Sequence, residues 1–452
     1  MSNLKAGFSR LDITPPLGIP ISGYYEKRYA KGFLDRLEVH AIAVANGDKK
    51  AIIINLDLLH IPNDFCKEQR EIISKFCGVP FDAIFVTCTH THTGPSFVIK
   101  QDEPEEANEL IRAYTVQLGL AMRDCAKYAM DDLKPAEFYV AEGEAKNISF
   151  VRRYRMKDGS VQTNPGVGNP DIDHVLDEAS EVLKLIEIKR EGAEDIYIVN
   201  FGVHPDVIGG ELISADFPRF VRESVEGALN DVKCVFINAA QGDVNHINPF
   251  PTEYDRLGLD YDSFDSVPRG YDHAIHMGRV IAGGALAICT KAKKVNADEI
   301  SFATKDVKIP TNMENDKLEE AQYICDMVAA GRQEELPYKK MELTTAKARA
   351  ARIVRLKDGP EYYEMKFTCL RFGDIAFVGL PGEPFTGLGR QIIAASPFDT
   401  TVVCCLTNGG GYYYPTTAAY DEGGYEAGSS PLKKGVAEII TNSFVEILNS
   451  LK

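Results

Sequence analysis

Short apolar runs, each closed by a polar loop, recur along this chain and alternate with amphipathic stretches of helical period. Ala51-Ile52-Ile53-Ile54-Asn55-Leu56-Asp57 is almost wholly apolar, as a strand covered on both faces would be. With the run 39–44 and the turn Asn46-Gly47-Asp48 it predicts a strand pair. Further strands are predicted over 83–86, 196–201, 234–237, 364–372, 374–378 and 401–406. Helices are predicted over 64–76, 105–130, 269–289 and 434–448. Ser214-Ala215-Asp216-Phe217-Pro218 signals the start of another that runs to about 229. This alternation predicts an α/β fold of layered mixed β-sheets flanked by helices. Two charged amphipathic helices, 316–330 and 344–354, carry no evident chemistry and fit a cap or an oligomer surface. The stretch 250–269 reads as a surface excursion.

The chemistry collects where the apolar runs end. After 83–86 comes Thr87-Cys88-Thr89-His90-Thr91-His92-Thr93-Gly94-Pro95. In an extended segment His90 and His92 point the same way, which suits a divalent metal as well as an ordinary hydrogen-bonded pair. The run 196–201 ends in Gly202-Val203-His204-Pro205, where a proline fixes a histidine at a strand end. Asp57 closes the strand expected beside the His-x-His loop. The run 234–237 opens into a loop containing Gly242-Asp243-Val244-Asn245-His246. Glu383 sits between Gly382 and Pro384 at a strand-to-helix junction, with Pro384 read as the first helical residue. Arg152-Arg153 reads either as the tip of a solvated hairpin or as an arginine pair that holds a polar substrate. His273 and His276 read as helix-surface or second-layer residues. The glycines 409–411 lack the Lys and Ser/Thr of a phosphate loop. In open α/β sheets sites gather at the carboxyl ends of strands, where all these groups lie.

Composition narrows the partners. The 452 residues carry a net charge of −16, which argues against nucleic acid or an anionic membrane surface. No apolar run reaches transmembrane length, so no integral membrane association is expected. The first residues lack a signal-type apolar segment, which predicts a cytoplasmic location. Ten cysteines are scattered without a C-x-x-C pair, which predicts reduced core thiols.

Taken in order, these motifs resemble the N-terminal catalytic domain of the neutral (non-lysosomal) ceramidase family. The matching pieces are Arg10-Leu11-Asp12-Ile13-Thr14-Pro15, Gly23-Tyr24, Thr89 to Pro95, Val203-His204-Pro205 and Gly242-Asp243-Val244. Pro381-Gly382-Glu383-Pro384-Phe385, Tyr414-Pro415-Thr416-Thr417 and Tyr425-Glu426 complete the set. The resemblance implies one catalytic domain over 1–452, without the family's C-terminal immunoglobulin-like domain. It implies one Zn²⁺ held by His90, His204, Glu383 and Tyr414, a set that Mn²⁺ or Fe²⁺ also suits. His92 and Tyr425 would touch the reacting group, Arg152 the substrate, and Asp57 and Asp243 would orient ligands. The family's Gly-Asp-Val-Ser is here Gly242-Asp243-Val244-Asn245, and the surrounding loops are polar. A small polar substrate is therefore expected. The implied activity is zinc-dependent hydrolysis of an amide or ester by metal-activated water. The alternative is a lyase or isomerase acting on a sugar-like carbonyl compound, with His92 or Tyr425 as base and Asn245 holding a hydroxyl. A third reading is a non-catalytic protein with a closed zinc shell.

Overall fold

The computed structural model describes residues 3–100, 103–251, 269–313 and 315–452. The strands that matter are β1 (Leu4–Asp12), β2 (Glu38–Asn46), β3 (Lys49–Leu56), β4 (Ile84–Cys88), β5 (Lys134–Glu144), β6 (Val182–Arg190), β7 (Asp195–Phe201), β8 (Val232–Asn238) and β9 (Lys293–Val295). They form one sheet in the order β8-β7-β6-β5-β1-β2-β3-β4, with β9 pairing β5. A second sheet runs β10 (Ile300–Pro310), β11 (Tyr362–Phe372), β12 (Ile375–Gly379), β13 (Thr400–Cys404). The layered mixed α/β architecture matches the hydrophobic pattern.

Most neighbours are antiparallel, but β3–β4, β7–β8 and β12–β13 are parallel. Each parallel pair needs a crossover, and a helix supplies it. These are α1 (Asn63–Cys77), α3 (Phe217–Ala228) and α7 (Thr386–Ala395); α2 (Glu105–Asp131) and α4 (Tyr271–Cys289) lie between. The charged helices are α5 (Leu318–Ala329) and α6 (Lys340–Leu356), and the chain closes with α8 (Thr417–Glu422), α9 (Tyr425–Ser429) and α10 (Val436–Leu451). On α2, Ile111, Tyr114, Leu118, Met122 and Cys125 recur at helical spacing and are buried. Burying each of the larger ones contributes about 1.5–3 kcal/mol. Among the described residues no helix is long and apolar enough to cross a membrane, and all ten cysteines are free thiols.

The two sheets meet at the strand ends. Cys405 N donates to Asn238 O (3.1 Å), Asn408 N to Val86 O (2.7 Å) and Asn200 Nδ2 to Val403 O (3.0 Å). The second sheet thus docks β13 beside the ends of β4 and β8.

Two local expectations change. His90 is not extended: its φ is 80°, so the His-x-His loop turns there. Pro384 does not open a helix. Glu383–Pro384 is extended and pairs in parallel with Tyr413–Tyr414, because Glu383 N donates to Tyr412 O (2.8 Å) and Phe385 N to Tyr414 O (3.3 Å). Most of the expected excursion, 252–268, lies outside the described residues.

Candidate metal centre

Three of the parallel strands deliver one side chain or pair each to a common point: β4 brings His90 and His92, β7 brings His204, and β12 brings Glu383. His90 Nε2 lies 3.1 Å from His204 Nε2 and 3.4 Å from His92 Nε2. Glu383 Oε2 is 3.2 Å from His90 Nε2 and 3.7 Å from His204 Nε2. Tetrahedral bonds of about 2.0–2.1 Å to one ion place ligand atoms roughly 3.3 Å apart. The backbone fixes which nitrogen faces inward. His90 Nδ1 donates to Leu59 O (2.8 Å) and His204 Nδ1 to Gln241 O (3.3 Å), so both Nε2 atoms present lone pairs. Lone pairs and a carboxylate oxygen converge on one point, an arrangement that suits a cation. Among the described residues His90, His92 and His204 are the one histidine, cysteine or carboxylate cluster of metal-binding spacing.

The cluster is buried, and burial governs its protonation. Burial pushes His92 down to about 4, with His90 and Arg28 adding to it against Asp206 and Glu383. His204 is held well below the usual imidazole range by burial, then by Arg152 and the two neighbouring imidazoles. Burial alone would raise Glu383, but His90 and Arg152 outweigh it and hold the carboxyl below its ordinary value. His92 and His204 are therefore neutral and the Glu383 carboxylate ionised near pH 7, the forms that ligate metal.

Around this point lies a cavity of about 270 Å³, lined among others by Tyr25, His60, Arg355, Tyr412, Tyr413 and Tyr425. Gly23 presses on His92 with φ 108°; a Cβ there would stand 2.8 Å from the His92 Cβ. His92 Nδ1 lies 3.8 Å from Asp206 Oδ1, which Arg269 and the Tyr24 hydroxyl also hold. Gln241 Nε2 donates to Glu383 Oε2 (3.3 Å). Tyr425 shares a hydrogen bond of 3.0 Å with the Tyr25 hydroxyl.

Comparison of the whole fold with solved structures finds neutral ceramidase from Pseudomonas aeruginosa at TM-score 0.72, with 16% identity over 100% of this chain and 75% of that one. A ceramidase complexed with C2 matches at TM-score 0.72 and 17% identity, with the same coverage. The chain has the neutral ceramidase fold. No family model and no curated protein matches it.

On this ceramidase-like scaffold the structure brings His90, His204 and Glu383 together, and His92 joins them through its own Nε2. Tyr414 does not. Its side chain is 0% exposed in the core beneath β11 and α10, and its hydroxyl donates to Pro381 O (2.8 Å). Adjacent residues of an extended pair face opposite ways, so it is Tyr413 that lines the cavity. Arg152 is no solvated tip. At 6% exposure it donates to Glu426 Oε1 (2.6 Å), Gly242 O (2.9 Å) and the Tyr413 hydroxyl (3.2 Å), so it braces the wall. Arg153, equally buried, donates to Glu422 Oε2 (3.1 Å).

Asn245 does not line the cavity. Its Nδ2 donates to Asn164 Oδ1 (3.0 Å) and its Oδ1 accepts from Ile247 N (3.0 Å). The Asp57 carboxylate meets no ligand either; Arg222 donates to both its oxygens, at 2.9 and 2.7 Å. Asp243 acts at one remove. It accepts from Thr386 N (2.7 Å) and Thr386 Oγ1 (3.0 Å), three residues beyond Glu383. The sequence carried no local signal for Tyr413, Gln241, Asp206 or Arg355, because each reaches the site only through long-range pairing.

Proposed function

We propose that this chain is a zinc-dependent hydrolase that cleaves an amide or ester bond in a small, polar substrate. The observation that carries this reading is the convergence of His90, His92 and His204 Nε2 with Glu383 Oε2 at ligand spacing in an open cavity. When bound, such an ion supplies Lewis acidity and the acidification of water that yields a nucleophile at neutral pH. The chain's own groups do the rest. Burial keeps the Tyr425 and Tyr413 phenols well above their ordinary pKa, so both stay protonated and able to donate to a carbonyl oxygen or leaving group. Arg152 fixes the Tyr413 hydroxyl, and Gln241 restrains Glu383. A cavity just below the roughly 300–1,000 Å³ range of small-ligand sites, walled by phenols, supports a compact polar substrate. The lyase alternative keeps His92 and Tyr425 on the cavity wall but loses the Asn245 amide that was to hold a substrate hydroxyl. The test is turnover of amide and ester panels in ¹⁸O water by the zinc-loaded protein. One solvent oxygen in the acyl product is expected; an unlabelled product carrying a new double bond would overturn the reading.

A further inference from the structure

Helix α6 enters the cavity with one residue, Arg355, near its C-terminal end. Arg355 is exposed, lines the same cavity as His90, His92 and Glu383, and makes no hydrogen bond or ion pair among the described residues. Its charge acts on the Tyr25 and Tyr412 phenols that share the wall. An exposed guanidinium on a helix needs no partner, so isolation alone says little. The surroundings say more. Glu383 is the one carboxylate among the cavity's lining residues, and it faces the histidines. The other polar side chains lining the cavity outside the histidine–Glu383 cluster are neutral: four phenols whose pKa is raised, first by burial and with Tyr412 at about 12, Ser429, Ser430, and His60, which burial pushes down to about 4.

The helix is also held still. One turn before Arg355, Arg352 is buried and donates to Gly428 O (3.3 Å) and Asn312 O (3.1 Å), which fastens α6 against α9, the helix that carries Tyr425. Two turns before, Lys347 Nζ stands 5.8 Å from the Tyr25 ring centroid. The cavity therefore has an anionic, metal-binding pole and a cationic, donor-rich rim on a fixed element. A guanidinium fork matches a carboxylate.

We infer that Arg355 is a specificity residue that selects substrates bearing a carboxylate on the far side of the scissile amide or ester. This rests on the metal-hydrolase reading and names its substrate class. The test uses zinc-loaded full-length protein and titration calorimetry with three metal-seeking probes: acetohydroxamate, the monohydroxamate of succinic acid and the neutral amide of that monohydroxamate. The wild type is expected to bind the carboxylate probe about tenfold more tightly than the neutral amide. The ratio should fall to about one in R355M, recover in part in R355K, and shrink as salt is raised from 0.05 to 0.5 M. Acetohydroxamate affinity should stay within about twofold throughout. Equal binding of charged and neutral probes by the wild type, or a ratio that survives R355M or high salt, overturns the inference and leaves the metal reading standing. If acetohydroxamate fails to bind the zinc-loaded wild type, the metal reading falls and takes this inference with it. Should R355M misfold, R355K and the salt series on the wild type decide the question.

Discussion

At the scale of single residues, His90 is placed against its own backbone preference. A non-glycine residue at φ 80° is held there by its N donating to Leu58 O (2.9 Å) and its Nδ1 to Leu59 O (2.8 Å). The turn aims Nε2 at His204 and Glu383, so His90→Ala should reduce zinc after dialysis from stoichiometric to background; retained zinc by elemental analysis would refute the ligand set. The two tyrosines separate by turnover. Tyr414→Phe should keep zinc and lose about 0.5–1.5 kcal/mol in denaturant melts, the value of one buried hydrogen bond. Tyr413→Phe should keep the fold and the zinc and slow turnover about 10²–10³-fold, as loss of a donor at the reacting group does. Acid has a defined sign here. Protons compete with metal, and burial holds His92 down to about 4 and His204 well below the ordinary histidine range near 6.5, so protonation of these two ligands should release zinc at limiting concentration only below that range. In the metal-free protein the unfolded chain takes up the proton first. Stability should therefore fall as pH drops from about 6.5 towards 4, and a melting temperature flat across that window would refute the burial.

Elements carry the next level of argument, because three strand–helix–strand units bring their loops to one place. The end of β3 is tied to α3 by Asp57 and Arg222, 0% and 2% exposed as side chains. Arg222→Met would strand a buried carboxylate and should cost about 3–5 kcal/mol in chemical denaturation; adding Asp57→Leu should restore much of it. Apolar runs and caps made these units legible: the β3 and β4 strands, α1, and the α3 start, where the Asp216 carboxylate accepts from Phe217 N. His90, His204 and Glu383 were legible too, since each closes an apolar run with a residue that a core would not choose. What was hidden depended on distant partners. Arg152 reads either as a solvated tip or as a substrate holder until Glu426 is seen to meet it from another loop. Tyr413 and Tyr414 are alike in sequence, and only the pairing of Glu383–Pro384 with Tyr413–Tyr414 decides which one faces the cavity. Arg355 is one charge among many on an amphipathic helix.

In the whole molecule, the candidate centre lies across a seam. His90, His92 and His204 leave the first sheet, whereas Glu383 leaves the second, and backbone bonds such as Cys405 N to Asn238 O join the two near that point. An ion gripped from both sides binds the folded arrangement and not the separated strands, so its binding free energy adds to stability. The gain follows mass action: about 2.7 kcal/mol at free zinc 100 times the dissociation constant and about 4.1 at 1,000 times. Chelator-stripped protein should therefore melt below zinc-saturated protein by an amount that grows with the logarithm of free zinc. Glu383→Gln removes the contribution of the second sheet and should flatten that dependence, while His90→Ala should abolish it. Hydrogen exchange locates the effect. Added zinc should slow exchange of backbone amides at the ends of both β4 and β12, because the ion links them. Slowing confined to the loops after β4 and β7 would mean that the ion sits on the histidines alone, and that Glu383 merely lies beside them.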